Sequence, residues 1–316
     1  MFKVLSCCAL LLVSTFASAS ETATVKVEAK KVGPHSYYVQ GRTGAASSEN
    51  QGFMSNAGFV VTDDGVVVVD SLGTPALGEA LIKAIRKVTR QPIKRVIVTH
   101  YHADHVYGLQ AFKALGAEIW AHKAGQDYVV SEQAQQRLEA RREELFPWVN
   151  EDTRVLPADL WLDGDTDFEM GGLHFSLRHV GPAHSPEDMA MLVKEDGAMY
   201  AGDIVFKGRI PFVGDADSRA WLAVLDKLIL AQPKYLIPGH GAASSTPQKD
   251  LQLTRDYLAY LRLTMGRAVE DFVPFDQAYA RTDWKKFASL PTFKQANRLN
   301  AYNTYILMEK EALKQP

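Results

Sequence analysis

An α+β fold is predicted for this chain of 316 residues, on three observations. Short β-branched runs joined by hairpin signals come first, strand-then-helix units follow, and from Thr246 onward the pattern is almost wholly helical. The length suits one large domain or two modest ones. With 47% hydrophobic and 23% charged residues, the composition is that of a globular protein and argues against intrinsic disorder. A formal net charge of −2, from 35 Lys+Arg against 37 Asp+Glu, lacks the basic footprint of a nucleic-acid binder. Two Cys are too few for a disulfide scaffold or a Cys-based zinc module.

Met1–Ala19 reads as a cleavable export signal. Lys3 is followed by an apolar run from Val4 to Phe16 and a small-x-small end, Ala17-Ser18-Ala19. The run falls short of the roughly 20 apolar residues that span a bilayer, so no stable membrane anchor is expected. Cys7 and Cys8 leave with it, the mature chain is thiol-free, and the expected location is periplasmic or secreted.

The main domain is expected over residues 20–245 and a helical extension packed on it over 246–316. Val25–Gln40 holds one or two strands, and Gly41–Gln51, rich in Gly, Ser and Ala, reads as a flexible loop. Asn56–Val61 and Val66–Asp70 flank Thr62-Asp63-Asp64-Gly65, a hairpin signal. Pro75–Val88 has helical spacing through Leu77, Leu81, Ile82 and Ile85. Ile93–Thr99 reads as a buried strand, Leu109–Leu115 as a helix and Ala117–Ala121 as a strand. Glu132–Leu145 is a charged surface helix ending before Pro147. Strands are expected at Leu160–Leu162, Leu173–His179, Met189–Lys194, Met199–Ala201 and Tyr235–Ile237, with a helix from Ser218 to Ala231 before the last.

Chemistry concentrates at His100-Tyr101-His102-Ala103-Asp104-His105, three imidazoles and a carboxylate between a strand and a helix. Alternation through an extended turn puts His100 and His102 on one side, while Asp104 and His105 swing to an adjacent position. One turn thus offers ligands to two neighbouring metals of the borderline kind. Three weaker points follow, each with one ligand-type residue in a small-residue turn: His184 in Gly181–Ser185, Asp203 after Gly202, and His240 between Gly239 and Gly241. Asp70 ends a strand as an acid suited to holding the His-rich loop.

Together these motifs, from about Gly58 to Gly241, resemble the metallo-β-lactamase fold superfamily, whose H-x-H-x-D-H signature is specific. The resemblance implies an αββα sandwich with metals at one edge. It implies that His100, His102 and His184 hold a first metal, that Asp104, His105 and His240 hold a second, and that Asp203 bridges them. Cysteine-using β-lactamases of this superfamily place a thiolate at or near position 203, whereas an Asp there resembles glyoxalase II, the lactonases and the alkylsulfatases. Two Zn²⁺ are the implied cofactors, with Fe and Mn as alternatives. The implied activity is hydrolysis of a small ester, thioester or lactone by a metal-activated water, with Asp104 as the residue that orients it. β-Lactam hydrolysis is the alternative, as is an iron-dependent persulfide or thiol oxygenase on the same ligands.

Several further residues have two readings. Lys207 and Arg209 are candidates for a substrate carboxylate, with a solvated surface charge as the plainer reading. Tyr101 and Tyr107 either line the pocket or pack. Asp188 either accepts from a ligating imidazole or is a surface carboxylate. His35, His122, His174 and His179 have no position in the motif. The C-terminal helices cover substrate, form a homodimer, or pack onto the sandwich, the last being the most economical.

Overall fold

The strand Gly65–Val69 is apolar at every position because both of its faces are covered. Val66 and Val68 point into one apolar layer, and Val67 and Val69 into another. That double burial runs through the computed structural model, which describes residues 21–314. The expected export signal lies outside the described residues. No described helix is long and apolar enough to cross a membrane.

Two sheets stack face to face. The first orders seven strands as β1 (Ala29–Lys31), β2 (Ser36–Val39), β3 (Ala57–Thr62), β4 (Gly65–Val69), β5 (Ile93–Ile97), β6 (Glu118–His122) and β7 (Leu160–Leu162). Its first half is antiparallel, and from β4 to β7 the pairs are parallel. The second sheet contains β8 (Thr166–Met170), β9 (Leu173–His179), β10 (Met189–Val193), β11 (Ala198–Phe206) and β12 (Tyr235–His240), in the order β12-β11-β10-β9-β8. The last connection, β11 to β12, is parallel and needs a crossover helix.

Helices cover both outer faces. α1 (Pro75–Val88), α2 (Ala103–Val106), α3 (Leu109–Ala114), α4 (Gln126–Val129) and α5 (Glu132–Leu145) belong to the first half, and α6 (Ser218–Ala231) is the crossover. α7 (Pro247–Glu270), α8 (Phe275–Arg281) and α9 (Phe293–Leu313) follow. α1 starts where it does because the Thr74 hydroxyl accepts from the Leu77 N–H and Pro75 needs no partner at the first turn. Three apolar layers result. One lies between the first sheet and its helices, around Leu77, Leu81 and Phe112. One lies between the sheets, around Phe175, Tyr200 and Ile237. The third packs Phe206 and Trp221 against Leu258 and Leu261 of α7. This is the αββα sandwich, and the C-terminal helices pack onto it as its outermost layer.

Three expectations change. Thr166–Met170 is a strand although only half-buried, because it forms the edge of the second sheet beside β9. β11 runs to Phe206, well past Ala201, because it stays paired with β12 through irregular register at Gly202. Residues 41–51 form a tied-down loop: the Asn50 side chain accepts from Ser47 N–H and Gly52 N–H and donates to Ala45 O.

Candidate metal centre

The His-rich loop leaves β5 and is shaped by one acid at the end of β4. Asp70 has φ +59°, a left-handed conformation that Asp tolerates better than most residues. Its carboxylate accepts from Thr99 N–H at 2.8 Å, from the Thr99 hydroxyl at 2.8 Å and from His105 Nδ1 at 2.9 Å. The Thr99 hydroxyl in turn meets His100 Nδ1 at 3.1 Å. Ser71 and Ser55 donate to the backbone carbonyls of His105 and Asp104. Asp70 is buried, and it holds the loop as expected.

The second sheet delivers the remaining groups. Gly202, at φ +50°, lets β11 pass so close to Thr99 that a Cβ would lie 2.7 Å from its hydroxyl. Gly239 leaves the space that the Asp203 carboxylate fills; a Cβ there would overlap Oδ1. Asn56, at the start of the β3–β4 hairpin, clamps the turn around His240 by donating from Nδ2 to Pro238 O and Gly241 O, both at 2.7 Å. His240 donates from Nδ1 to Met54 O at 2.8 Å and stacks on Phe206. His184 sits in a loop fixed by Asp188, which accepts from the Ser185 N–H at 2.6 Å and hydroxyl at 2.9 Å.

These loops converge on two clusters, His100, His102, His184 and Asp203, and Asp104, His105 and His240. In the first, His102 Nδ1 lies 3.1 Å from His100 Nε2 and 2.9 Å from His184 Nε2. Asp203 Oδ2 is 3.3 Å from His184 Nε2 and 3.8 Å from His100 Nε2. In the second, Asp203 Oδ1 is 3.2 Å from His105 Nε2 and 3.3 Å from His240 Nε2. Asp104 Oδ2 is 3.6 and 3.4 Å from the same two nitrogens. A tetrahedral ion with bonds of 2.0–2.1 Å places its ligand atoms roughly 3.4 Å apart, so both clusters have the spacing of a coordination shell. The two oxygens of one carboxylate, Asp203, face one cluster each.

Hydrogen bonding supports the same reading. Asp104 Oδ2, His105 Nε2 and Asp203 Oδ1 are buried, converge on one point and have no hydrogen-bond partner. Polar atoms in such a place need a partner from outside the protein. The outer hydrogen bonds of His105 and His240 leave Nε2 of each facing inward.

Electrostatics divide the clusters. Burial and neighbouring imidazoles hold His100 and His102 well below the ordinary histidine range, Arg137 adding to the effect on His102. Burial is also the main cause that lowers His184 to about 4. These three rings are neutral, as metal ligands must be. Burial alone would lower His105 and His240, yet Asp203 and Asp104 raise both. Burial would likewise raise Asp203 and Asp104, but His105 and His240 outweigh it and hold both carboxyls well below the usual range. The two carboxylates thus give the second cluster a negative field that favours a cation, which has to displace any proton held on His105 or His240.

The clusters open into a cavity of about 880 Å³, with His102 and Asp104 at its floor and α4 and α5 on one wall. The helix Glu132–Leu145 therefore has a cavity-lining face and a buried one: Arg137 and Arg141 line the cavity while Ala134 and Leu138 are buried. Other candidates fall elsewhere. Lys207 pairs with Asp250 at 3.2 Å and donates to Ala243 O, so it is engaged under α7. Arg209 is no surface charge: it is 2% exposed, packs against Phe212 and has an unpartnered Nη2. Its charge supports the anionic forms of Asp203 and Asp104. Tyr101 and Tyr107 are buried in the first core layer. Asp188 braces its own loop through Ser185. His122 and His179 stack at 3.6 Å beside that loop, and His35 and His174 pair with Asp196 and Glu195.

Three residues with roles here escaped sequence reasoning. Asn56 and the buried Glu187, which accepts from Tyr101 N–H at 3.0 Å, carry no motif. Arg137 is masked by the charged run around it.

The sequence model of the metallo-beta-lactamase superfamily matches residues 50–240. A linear primary-alkylsulfatase from a Pseudomonas species is 24% identical over 242 residues, 64% of this chain and 45% of the relative. A metallo-beta-lactamase type 2 from Elizabethkingia meningoseptica is 24% identical over 229 residues, 71% of this chain and 82% of the relative. This chain thus spans less than half the length of the alkylsulfatase and most of that of the lactamase. Among solved structures, a metallo-beta-lactamase from Pontibacter korlensis aligns with a TM-score of 0.58 at 20% identity, covering 74% of this chain and 99% of its own. A stereoselective inverting sec-alkylsulfatase from Pseudomonas aligns with a TM-score of 0.71 at 17% identity, covering 92% of this chain and 52% of its own. The second alignment is too extensive to omit the C-terminal helices. With the matched segment taking in every residue of both clusters and more than half of the sequence, this chain belongs to the metallo-β-lactamase superfamily.

Proposed function

We propose that the chain is an exported binuclear zinc hydrolase of an ester, thioester or lactone. The observation that carries this reading is the Asp203 carboxylate, whose Oδ1 and Oδ2 each lie 3.2–3.3 Å from an imidazole nitrogen of a different cluster. His100, His102 and His184 would hold one ion, Asp104, His105 and His240 the other, and Asp203 both. Divalent ions at these positions supply Lewis acidity and an activated water at neutral pH. The protein's part is to hold and orient. Asp70 fixes the ring of His105, Met54 O fixes that of His240, and the buried Arg209 adds a positive charge that favours the anionic forms of Asp203 and Asp104. Asp104 lines the cavity as a carboxylate and would orient the nucleophile toward the substrate. The export signal at Met1–Ala19 supports a periplasmic or secreted location.

A second reading is hydrolysis of an alkyl sulfate ester, favoured by the alignment of the alkylsulfatase fold over 92% of this chain. One experiment addresses both. Metal content is measured on protein purified without added metal, and a panel of thioester, lactone, aryl ester, alkyl sulfate and nitrocefin is assayed on wild type and Asp203→Ala. The expectation is two zinc equivalents in wild type, with one equivalent and the activity lost together in the variant. Protein that holds two metals and hydrolyses nothing on the panel refutes the hydrolase, and iron in place of zinc favours the oxygenase.

A further inference from the structure

We infer that Arg137 of α5 makes this enzyme select substrates carrying an oxyanion, a carboxylate or sulfate group, which it grips on the cavity wall while the scissile bond lies at the metal centre. The inference rests on the hydrolase reading. Arg137 lines the same cavity as His102, Asp104, His184 and Asp203. Its charge reaches inward, being felt at His102, Tyr107 and Tyr128.

What distinguishes it is the lack of a partner. Arg141, one turn further along α5 and also in the cavity, is ion-paired with Glu144. Arg142 pairs with Glu139 at 2.6 Å and donates to Asn150 O at 3.0 Å. Arg137 makes no ion pair or hydrogen bond with any described residue. None of the cavity's acids pairs with it: Glu144 belongs to Arg141, Glu187 accepts from Tyr101, Asp104 and Asp203 face the imidazoles, and the exposed Asp127 and Asp215 make no ion pair with it. Arg209, the other cation near the centre, does not line the cavity.

A guanidinium offers five donors in a planar fork matched to two oxygens of a carboxylate or sulfate. Half-buried and unpaired, Arg137 has given up part of its hydration without a protein anion in return. Loading the centre with divalent ions makes the cavity more positive still. An anion arriving between Arg137 and the centre relieves both, which is a basis for selectivity rather than for fold stability.

The test compares holoenzyme of wild type, Arg137→Met and Arg137→Lys on two aryl esters with the same leaving group, 4-nitrophenyl acetate and 4-nitrophenyl hemisuccinate. Arg137 lines the cavity without an ion pair or hydrogen bond to any other described residue, so both variants should fold and keep their metals. Arg137→Met should lower kcat/KM for the hemisuccinate about ten- to a hundredfold, mainly through KM, as expected for loss of a charged hydrogen bond. It should leave the acetate within about twofold, and Arg137→Lys should recover part of the loss. A second readout does not depend on turnover: calorimetric titration with butyrate and with methanesulfonate. Weakening by about tenfold or more in Arg137→Met supports the inference, and the anion that weakens more identifies the preferred group. Should wild type hydrolyse neither ester, the hydrolase reading suffers while the titration still decides the role of Arg137. Equal anion binding and equal ester preference in wild type and Arg137→Met overturn it.

Discussion

Replacing Asp70 by Asn should strip the second metal position and spare the first. The carboxylate uses Oδ1 for Thr99 N–H and Oδ2 for both the Thr99 hydroxyl and His105 Nδ1. An Asn of the same shape keeps its oxygen on Thr99 N–H and turns its NH₂ toward the other two. The Thr99 hydroxyl adapts by accepting. His105 does not: facing a donor, Nδ1 must surrender its proton, which moves to Nε2 and points at Asp203 Oδ1, 3.2 Å away. The lone pair that would bind metal is then lost. A hydrogen bond to a charged group contributes about 1.5–3 kcal/mol, which at about 1.4 kcal/mol per tenfold is roughly ten- to a hundredfold in metal affinity. That agrees with the roughly 10–100-fold typical of groups supporting a metal-ligating histidine. A competition titration against a chromophoric chelator, with metal counted by elemental analysis, reads the two affinities separately. The first should move by less than about threefold. Two tight equivalents with unchanged affinities in Asp70→Asn would refute the role assigned to Asp70.

Gly239→Ala should also disrupt the bridging position, because the new methyl overlaps Asp203 Oδ1. The expected result is at most one tight metal equivalent per chain by elemental analysis; two would mean that Asp203 relocates at no cost. Leu258→Ala, at a fully buried position between the second sheet and the C-terminal helices, should destabilise by about 2–5 kcal/mol. Scanning calorimetry should record a Tm drop of about 5–15 °C, and a drop below about 2 °C would mean the layer contributes little. Burial, His179 and Lys123 lower His122 to about 4, against about 6.5 in an unfolded chain. Between those values the unfolded chain takes up a proton that the folded one refuses, so stability present above about pH 6.5 declines as pH falls toward 4. In His122→Asn the fall in Tm across that window should be shallower, and superimposable profiles would contradict it.

Much of this was legible in sequence where one physical signal dominates. Pro75–Val88 and Ser218–Ala231 are helices with the bounds their apolar spacing indicates. The His-rich turn after Ile93–Ile97 announces itself because few other roles need three imidazoles in six residues. The rest depended on neighbours distant in the chain. Thr166–Met170 exposes Asp167 and Glu169 and becomes a strand only through pairing with Leu173–His179. Gly202 and Asp203 look like the end of a strand, and continue it because β12 stays alongside. Arg209 reads as a surface charge, since nothing nearby in sequence reveals the buried carboxylates it faces. Arg137 sits among Arg141, Arg142, Glu139 and Glu144, and only the pairing pattern of α5 separates it from them.

Each cluster draws from both halves of the sandwich. His100 and His102 follow a strand of the first sheet, while their companions His184 and Asp203 come from the second. Asp104 and His105 lie on α2 of the first half, and His240 ends a strand of the second. An ion in either cluster is therefore a rivet through the sheet interface, and its binding energy is also docking energy between the halves. Neither half assembles a full cluster alone, so metal uptake would report completed docking, and chelation would weaken the seam between the sheets rather than the sheets themselves.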